Sequence, residues 1–399
     1  MADLTAIIED TVRRERGRIV GGLLRLCGSL DAAEEAFQEA ALAALRAWRD
    51  EVPANPGAWL MTAAKNSARD ARRHHAIVEA KAPLLAEDDM HDTIDTLTDD
   101  YLRLVFTCCD PELSLDNAIA LTLKVVAGFS TDEIARAFVT TEATVSQRIL
   151  RAKQTVAALD YVPPEREELA ARVDAVLGVL YAMFNEGHTA RSGELMRLDL
   201  QAEALRLGRL LCDLAPREPE AYGLVAMMAF SAARAHTRVD ADGAPILLAD
   251  QDRTTWNREL VREGLMALAR ARSLGGRGAY VLQAEIAAVH VTAPAYESTD
   301  WAAIVALYDE LAAVVRSPIV SLNRAVAIGM RDGAAAGLAA LDGLERALAE
   351  YHLFYATRAD LLERAGKDPR ADLRKALSLV TNDGERQLLE RRLRARDSQ

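Results

Sequence analysis

Ser130-Thr131-Asp132-Glu133 constrains this chain more than any other feature, because it leaves residues 130–153 with one local fold. The tetrapeptide reads as a capping box: the serine hydroxyl accepts from the Glu133 amide while the glutamate reaches back to the serine amide. Ile134, Ala135 and Phe138 then share one helical face. Val139-Thr140-Thr141 makes a turn in which Thr140 or Thr141 can cap a second helix, and Val145, Ile149 and Ala152 recur at helical spacing. Two short helices joined in this way form a helix-turn-helix. The second helix carries short polar side chains first (Thr141, Glu142, Thr144, Ser146, Gln147) and cations later (Arg148, Arg151, Lys153). A helix in a major groove needs that order, to reach base edges and then the flanking phosphates. A solvated amphipathic hairpin is the plainer alternative; cap, turn length and face chemistry together favour DNA.

The rest of the chain is helical in pattern too. Half of the residues are hydrophobic but only 5% are aromatic, a balance that favours helix over strand. Leu4, Ile7, Ile8, Val12, Ile19, Leu23, Leu24 and Leu26 recur at helical spacing. A turn at Gly28-Ser29 follows, and a helix capped by Ser29 or Asp31 runs through Phe37, Ala40, Ala44 and Trp48. Pro53 and Pro56 break it, and Gly57-Ala58-Trp59-Leu60 opens another helix that ends near His74-His75.

A length of 399 residues exceeds one compact core and predicts two or three domains. Residues 1–75 form the first. Residues 76–96 read as an acidic linker, since residues 76–100 hold one lysine against eight acids. Much of the net charge of −12 sits in that stretch, so overall acidity does not exclude nucleic acid; local patches decide. Residues 97–160 contain the helix-turn-helix, and Pro163-Pro164 marks a boundary. Residues 165–399 predict an all-helical domain in which Trp301–Met330 and Tyr351–Leu379 resemble helical pairs with a drifting repeat of roughly 34 residues. An irregular bundle is the alternative.

Several chemistries find no support. The four cysteines, Cys27, Cys108, Cys109 and Cys212, fit neither a CxxC spacing nor a disulfide framework, leaving Cys108-Cys109 as a redox pair or as small buried hydrophobes. His188, His236, His290 and His352 are scattered without metal-ligand spacing. Asp240-Ala241-Asp242-Gly243 fails as a calcium loop, because the first and last ligand positions fall on Arg238 and Ala249. No enzyme, cofactor or metal is expected. Without an apolar signal core or a run of about 18 apolar residues, the chain is expected in the cytoplasm, away from membranes.

A basic helix lies ahead of the linker. Lys65, Arg69 and Arg72 share one face, with Arg73 and Asn66 beside them, after a proline-bounded loop holding Asn55 and then Trp59. Phosphate contact with capture of unstacked bases would use such a set; a solvated face would look the same. Glu34, Glu35, Gln38 and Glu39 form an acidic helical surface.

Together these blocks resemble region 2 and region 4 of bacterial sigma factors of the extracytoplasmic-function group, within the sigma-70 family. Region 2 is carried by Ala33-Glu34-Glu35-Ala36-Phe37-Gln38-Glu39, Ala47-Trp48, Pro56-x-x-Trp59-Leu60 and Asn66-x-x-x-Asp70-x-Arg72-Arg73. Region 4 is carried by Ser130–Lys153, with Thr144-Val145 and Arg151-Ala152-Lys153. Phe106-Thr107-Cys108-Cys109-Asp110-Pro111, Phe184-Asn185-Glu186-Gly187, Asp250-Gln251-Asp252-Arg253-x-x-Trp256, Leu282-Gln283-Ala284, Leu322-Asn323-Arg324 and Arg358-Ala359-Asp360 resemble members with a long helical-repeat extension. Asp110 departs from that pattern, which has histidine before the proline.

The resemblance implies an all-α protein: a region 2 bundle, a region 4 helix-turn-helix domain and a tetratricopeptide-like C-terminal domain. It implies that Glu34, Glu35, Gln38 and Glu39 face the β′ clamp helices of core RNA polymerase, with the β flap as a further contact. Asn55, Trp59, Lys65, Asn66, Arg69, Arg72 and Arg73 would hold an opened −10 element. Thr141, Thr144, Ser146, Gln147, Arg148, Arg151 and Lys153 would read the −35 duplex, and the acidic linker would thread the polymerase's nucleic-acid channel. The C-terminal domain is expected to regulate this core directly or through a protein that it binds. A regulator that never joins polymerase and a helical scaffold remain the rival readings.

Overall fold

The computed structural model describes residues 4–48, 52–78, 100–101, 104–138, 140–157, 166–188, 198–240 and 244–397. Most of the acidic linker, 79–96, lies outside them. Among the described residues the chain is all-α, with one isolated bridge between Val239 and Pro245. It divides into two compact units, Met1–Ala182 and Met183–Gln399.

The first unit begins with α1 (Leu4–Cys27), α2 (Leu30–Ala47) and α3 (Pro56–Val78), each packed on the other two. Gly28 ends α1 at φ 71°, a left-handed conformation that glycine adopts without penalty, and its N–H donates to the Leu24 carbonyl at 2.8 Å. Ser29, not Asp31, caps α2, its hydroxyl accepting from the Ala32 amide at 3.2 Å. Pro56 opens α3 instead of only breaking α2: a proline in the first turn sacrifices no helical hydrogen bond. Ile19, Leu23, Phe37, Ala40, Trp48, Leu60 and Ala64 are buried.

A helical stretch over 104–108 leads to α4 (Leu115–Val125), α5 (Thr131–Ala137) and α6 (Glu142–Ala157). The capping box forms as expected. The Glu133 amide donates to the Ser130 hydroxyl at 3.1 Å, and the Ser130 amide donates to the Glu133 carboxylate at 2.6 Å. The division between units falls inside α7 (Arg166–His188), beyond the Pro163-Pro164 pair. Arg172 accounts for this: its guanidinium donates at 2.7 Å to Asp110, a carboxylate only 3% exposed, and so ties the start of α7 to the first unit. The aspartate that departs from the family pattern is thus a structural ion-pair partner.

The second unit continues with α8 (Leu198–Leu214), α9 (Pro219–Ala233), α10 (Arg258–Ser273), α11 (Ala279–Thr292), α12 (Trp301–Val314), α13 (Pro318–Asp332), α14 (Ala334–Ala340), α15 (His352–Arg364), α16 (Arg370–Leu379) and α17 (Asp383–Asp397). Its core is a chain of overlapping clusters. Phe230, Leu268 and Val281 join α9, α10 and α11; Leu282, Ile304 and Ala327 join α11, α12 and α13. Leu322, Leu341 and Leu361 extend it to α15, and Ala359, Leu373 and Leu389 close it at α17. Each helix buries its sides against its neighbours, as stacked repeats do. The pairs α12/α13 and α15/α16 correspond to the two repeat-like stretches. The short α14 and the turn after it intervene, so the period drifts. At α13/α14 a Cβ on Gly337 would lie 2.8 Å from the Gly329 Cα, so this crossing needs glycine.

Candidate nucleic-acid interface

Thr141 begins the recognition-type helix. Its hydroxyl accepts from the Thr144 amide at 3.1 Å and lies 2.9 Å from the Thr144 hydroxyl. That closes the first turn of α6 and resolves the sequence's choice between Thr140 and Thr141. Val145, Ile149 and Ala152 are buried, while Thr141, Thr144, Ser146, Gln147 and Arg151 are exposed. The buried stripe fixes the roll of the helix, so the polar side chains at its start face solvent. Arg151 forms no ion pair among the described residues. Arg148 does: its guanidinium lies 2.8 Å from Asp116 of α4 and is half-buried.

Lys153 departs from the expectation of a free phosphate-binding cation. Its ammonium lies 2.6 Å from both Asp31 and Glu34 of α2, and its side chain is 22% exposed. Burial opposes the charge, but the hydrogen bonds that the ammonium donates to the two carboxylates outweigh it and hold the pKa above the usual lysine range. Glu34 departs in turn from the expected acidic surface. It is 5% exposed and also pairs with Arg16, whereas Glu35, Gln38 and Glu39 are exposed. A helical repeat puts all four residues near one side; only tertiary packing separates the covered one from the three open ones.

On α3, Asn66, Arg69, Arg72 and Arg73 are exposed and Lys65 is half-buried. Arg73 sits 3.9 Å from Asp70, both highly exposed, a pairing of little energetic weight. Asn55 is a helix cap: its side-chain carbonyl accepts from the Ala58 amide at 3.0 Å, leaving its amide nitrogen as the group for other contacts. Trp59 is half-buried, edge-on to the buried Trp48 with ring centroids 5.2 Å apart. Part of the ring expected to stack on a base is therefore packed in the bundle.

Sequence alone does not single out Arg13, Arg16 or Asp116, and it marks Asp31 only as a possible helix cap. Arg13 donates to Glu133 at 2.7 Å and lies over the Phe129 ring. Burial raises the Glu133 pKa, but the Ser130 amide and Arg13 more than offset it and leave that carboxyl below its ordinary value. One local sign of this packing was available: Gly17 and Gly21, one turn apart on α1 beside Arg13 and Arg16, mark a face where another backbone can approach.

The remaining candidates carry structure. Cys108 and Cys109 are free and buried; burial pushes the Cys109 thiol up to about 12 and the Cys108 thiol well above its ordinary value. Asp240 accepts from the Ala244 amide at 2.8 Å and pairs with Arg391 at 2.7 Å; residues 241–243 lie outside the described residues. Among the described residues no group of three or more His, Cys, Asp or Glu is placed to hold a metal.

Residues 11–77 match Sigma-70 region 2, and residues 105–156 match Sigma-70, region 4. The chain belongs to the sigma-70 family. A third match, to a family of unknown function (DUF6596), covers residues 172–272, the stretch spanning much of α7 to most of α10. Along nearly its whole length this sigma factor is similar to an uncharacterized protein of Rhizobium meliloti (strain 1021), 41% identical over 385 residues that cover 93% of this chain and 91% of the relative. No solved structure matches it. With both regions present and a helical extension behind them, it is a sigma factor of the extracytoplasmic-function type, acting with core RNA polymerase on promoter DNA in transcription initiation. Its two sigma regions mark a transcription factor. Among its described residues no helix is long and apolar enough to cross a membrane.

Proposed function

We propose that this sigma factor grips a promoter at two points and that its second unit conditions that grip. In region 4, Thr141, Thr144, Ser146 and Gln147 read the −35 duplex while Arg148 and Arg151 hold phosphates. In region 2, α3 and its leading loop hold the opened −10 strand through Asn55, Lys65, Asn66, Arg69, Arg72 and Arg73, with the accessible part of Trp59 as a stacking surface. Glu35, Gln38 and Glu39 face the β′ clamp helices, an acidic surface suited to a basic partner, and region 4 also meets the β flap.

The observation that carries this reading is the division of α6: Val145, Ile149 and Ala152 are buried, while Thr144, Ser146, Gln147 and Arg151 are exposed. A helix held by one stripe with short polar groups and a free arginine on the other side is built to enter a groove.

Transcription with purified core polymerase tests it. The full chain is expected to direct initiation from discrete promoters, and a chain that binds DNA but never joins core polymerase would replace this reading with that of a separate regulator. For the regulatory role, the comparison is a chain ending at His188. A cut near Tyr161 would remove Arg172 and leave buried Asp110 unpaired. The shortened chain is expected to bind core polymerase with altered promoter output; identical output and affinity would refute regulation by the second unit.

A further inference from the structure

The second unit encloses a cavity of about 360 Å³ between α13, α15, α17 and the segment 245–249. Val326, Met330, Leu361, Leu388 and Leu389 give it apolar walls. Leu247 and Leu353 also line it and are exposed, so it opens to solvent. Its volume falls at the lower end of the range of roughly 300–1,000 Å³ in which small-molecule sites lie, room for one alkyl chain or ring system.

The charged groups on and behind the wall carry a positive surplus. Asp360 and Glu363 of α15 face three arginines: Arg364 donates to Asp360 at 2.7 Å, Arg392 of α17 donates to Glu363 at 3.1 Å, and Arg396 pairs with Glu363 as well. Glu385, the other carboxylate on the wall, lies 3.0 Å from the His352 ring nitrogen and is further offset by Arg238. The Tyr296 hydroxyl hydrogen-bonds Arg364 and lies 3.8 Å from the Met330 sulfur. Arg392 is the least well served. It is 3.8 Å from Asp360 and meets both carboxylates through one terminal nitrogen; its remaining N–H groups have no acceptor among the described residues. Burial, with Arg364 nearby, lowers its pKa despite Asp360. An apolar chamber with such a guanidinium on its wall selects an apolar anion. The tail displaces water from the leucines, and the anion gains a charge-assisted hydrogen bond without another being broken. We propose that this cavity is a sensor site for a small apolar carboxylic acid, its carboxylate held by Arg392 and its tail among Val326, Met330 and Leu388. The inference rests on the regulatory reading of the second unit for its consequence, a promoter output set by the bound acid, and not for binding itself.

Calorimetric titration of the full chain with decanoate, and with decyltrimethylammonium as a cation on the same tail, tests the site. Decanoate is expected to bind at one site per chain. The cation should bind about tenfold more weakly, and Arg392→Gln should weaken decanoate by about as much, the worth of a charge-assisted hydrogen bond. Thr357 lines the cavity from α15, so Thr357→Phe fills it without altering a charge and should abolish binding at an unchanged melting temperature. No decanoate binding, equal binding of the cation, or parental affinity in either folded variant overturns the proposal. N-acetyl-trileucine presents the same carboxylate on a peptide; tighter binding than decanoate would assign the cavity to a protein C-terminus instead. Transcription with core polymerase separates this inference from the reading beneath it. Variant-sensitive binding that leaves promoter output unchanged refutes regulation and leaves the site standing. Absent binding refutes the site and leaves the chain ending at His188 to decide regulation.

Discussion

Arg148 and Arg151 lie one turn apart on α6, and the structure separates their expected contributions to promoter binding. Arg151 is exposed with no ion pair among the described residues, so a phosphate contact costs it no existing partner. Arg148 must leave Asp116, 2.8 Å away, before reaching DNA. A phosphate contact releases counterions with a slope of about 0.9 in log affinity against log salt. Arg151→Ala should therefore flatten the salt dependence by about that amount. Between 50 and 200 mM salt, a fourfold change, the parent should lose about 3.5-fold more affinity than the variant. For Arg148 the same gain is offset by a partly exposed ion pair of about 0.2–1 kcal/mol, so Arg148→Ala should weaken binding less. Asp116→Asn releases that arginine and should strengthen binding by about 1.4- to 5-fold. Fluorescence anisotropy of the polymerase complex on a labelled promoter duplex, across a salt series, measures all three. Equal slopes for parent and Arg151→Ala, or weaker binding by Asp116→Asn, would refute the assignment of this face to DNA.

Three further outcomes follow from the packing. Arg172→Ala leaves the buried Asp110 carboxylate without its cation and should destabilise the first unit by about 3 kcal/mol, read by urea unfolding; a change under about 1 kcal/mol would remove this pair as the anchor of α7. Burial, with Arg234 and Arg253 nearby, lowers the His290 pKa from 6.5 to about 4. The unfolded chain then takes up a proton below about pH 6.5 that the folded chain refuses, so this contribution is intact above 6.5 and declines toward pH 4, by at most roughly 3 kcal/mol. Unfolding of His290→Phe should lack that part of the acid sensitivity, and an identical pH profile would count against it. Cys108, Cys109 and Cys212 are buried with raised pKa values, so iodoacetamide at pH 8 should modify them only after unfolding; labelling of the native chain, or a Cys108–Cys109 disulfide, would revive the redox reading.

Features that depend on neighbours within one or two turns were legible in the amino-acid order: the Ser130–Glu133 box, a threonine cap at Thr140 or Thr141, the buried Val145–Ile149–Ala152 stripe and the exposed cations of α3. Each is decided by i to i+4 geometry, which a linear pattern records directly. The overlapping clusters of the second unit were legible as a drifting helical repeat for the same reason. Tertiary structure alone decided which members of those patterns stay accessible. Glu34 and Glu35 are adjacent and chemically alike, yet one lies beneath Arg16 and Lys153 while the other is open to solvent. Lys153 and Asp31 are 122 residues apart, Arg172 and Asp110 are 62 apart, and Trp59 meets Trp48 only because two helices cross there. No periodicity encodes such pairs. Their partners are brought together by the burial of apolar faces elsewhere, and the charges settle where that packing leaves them.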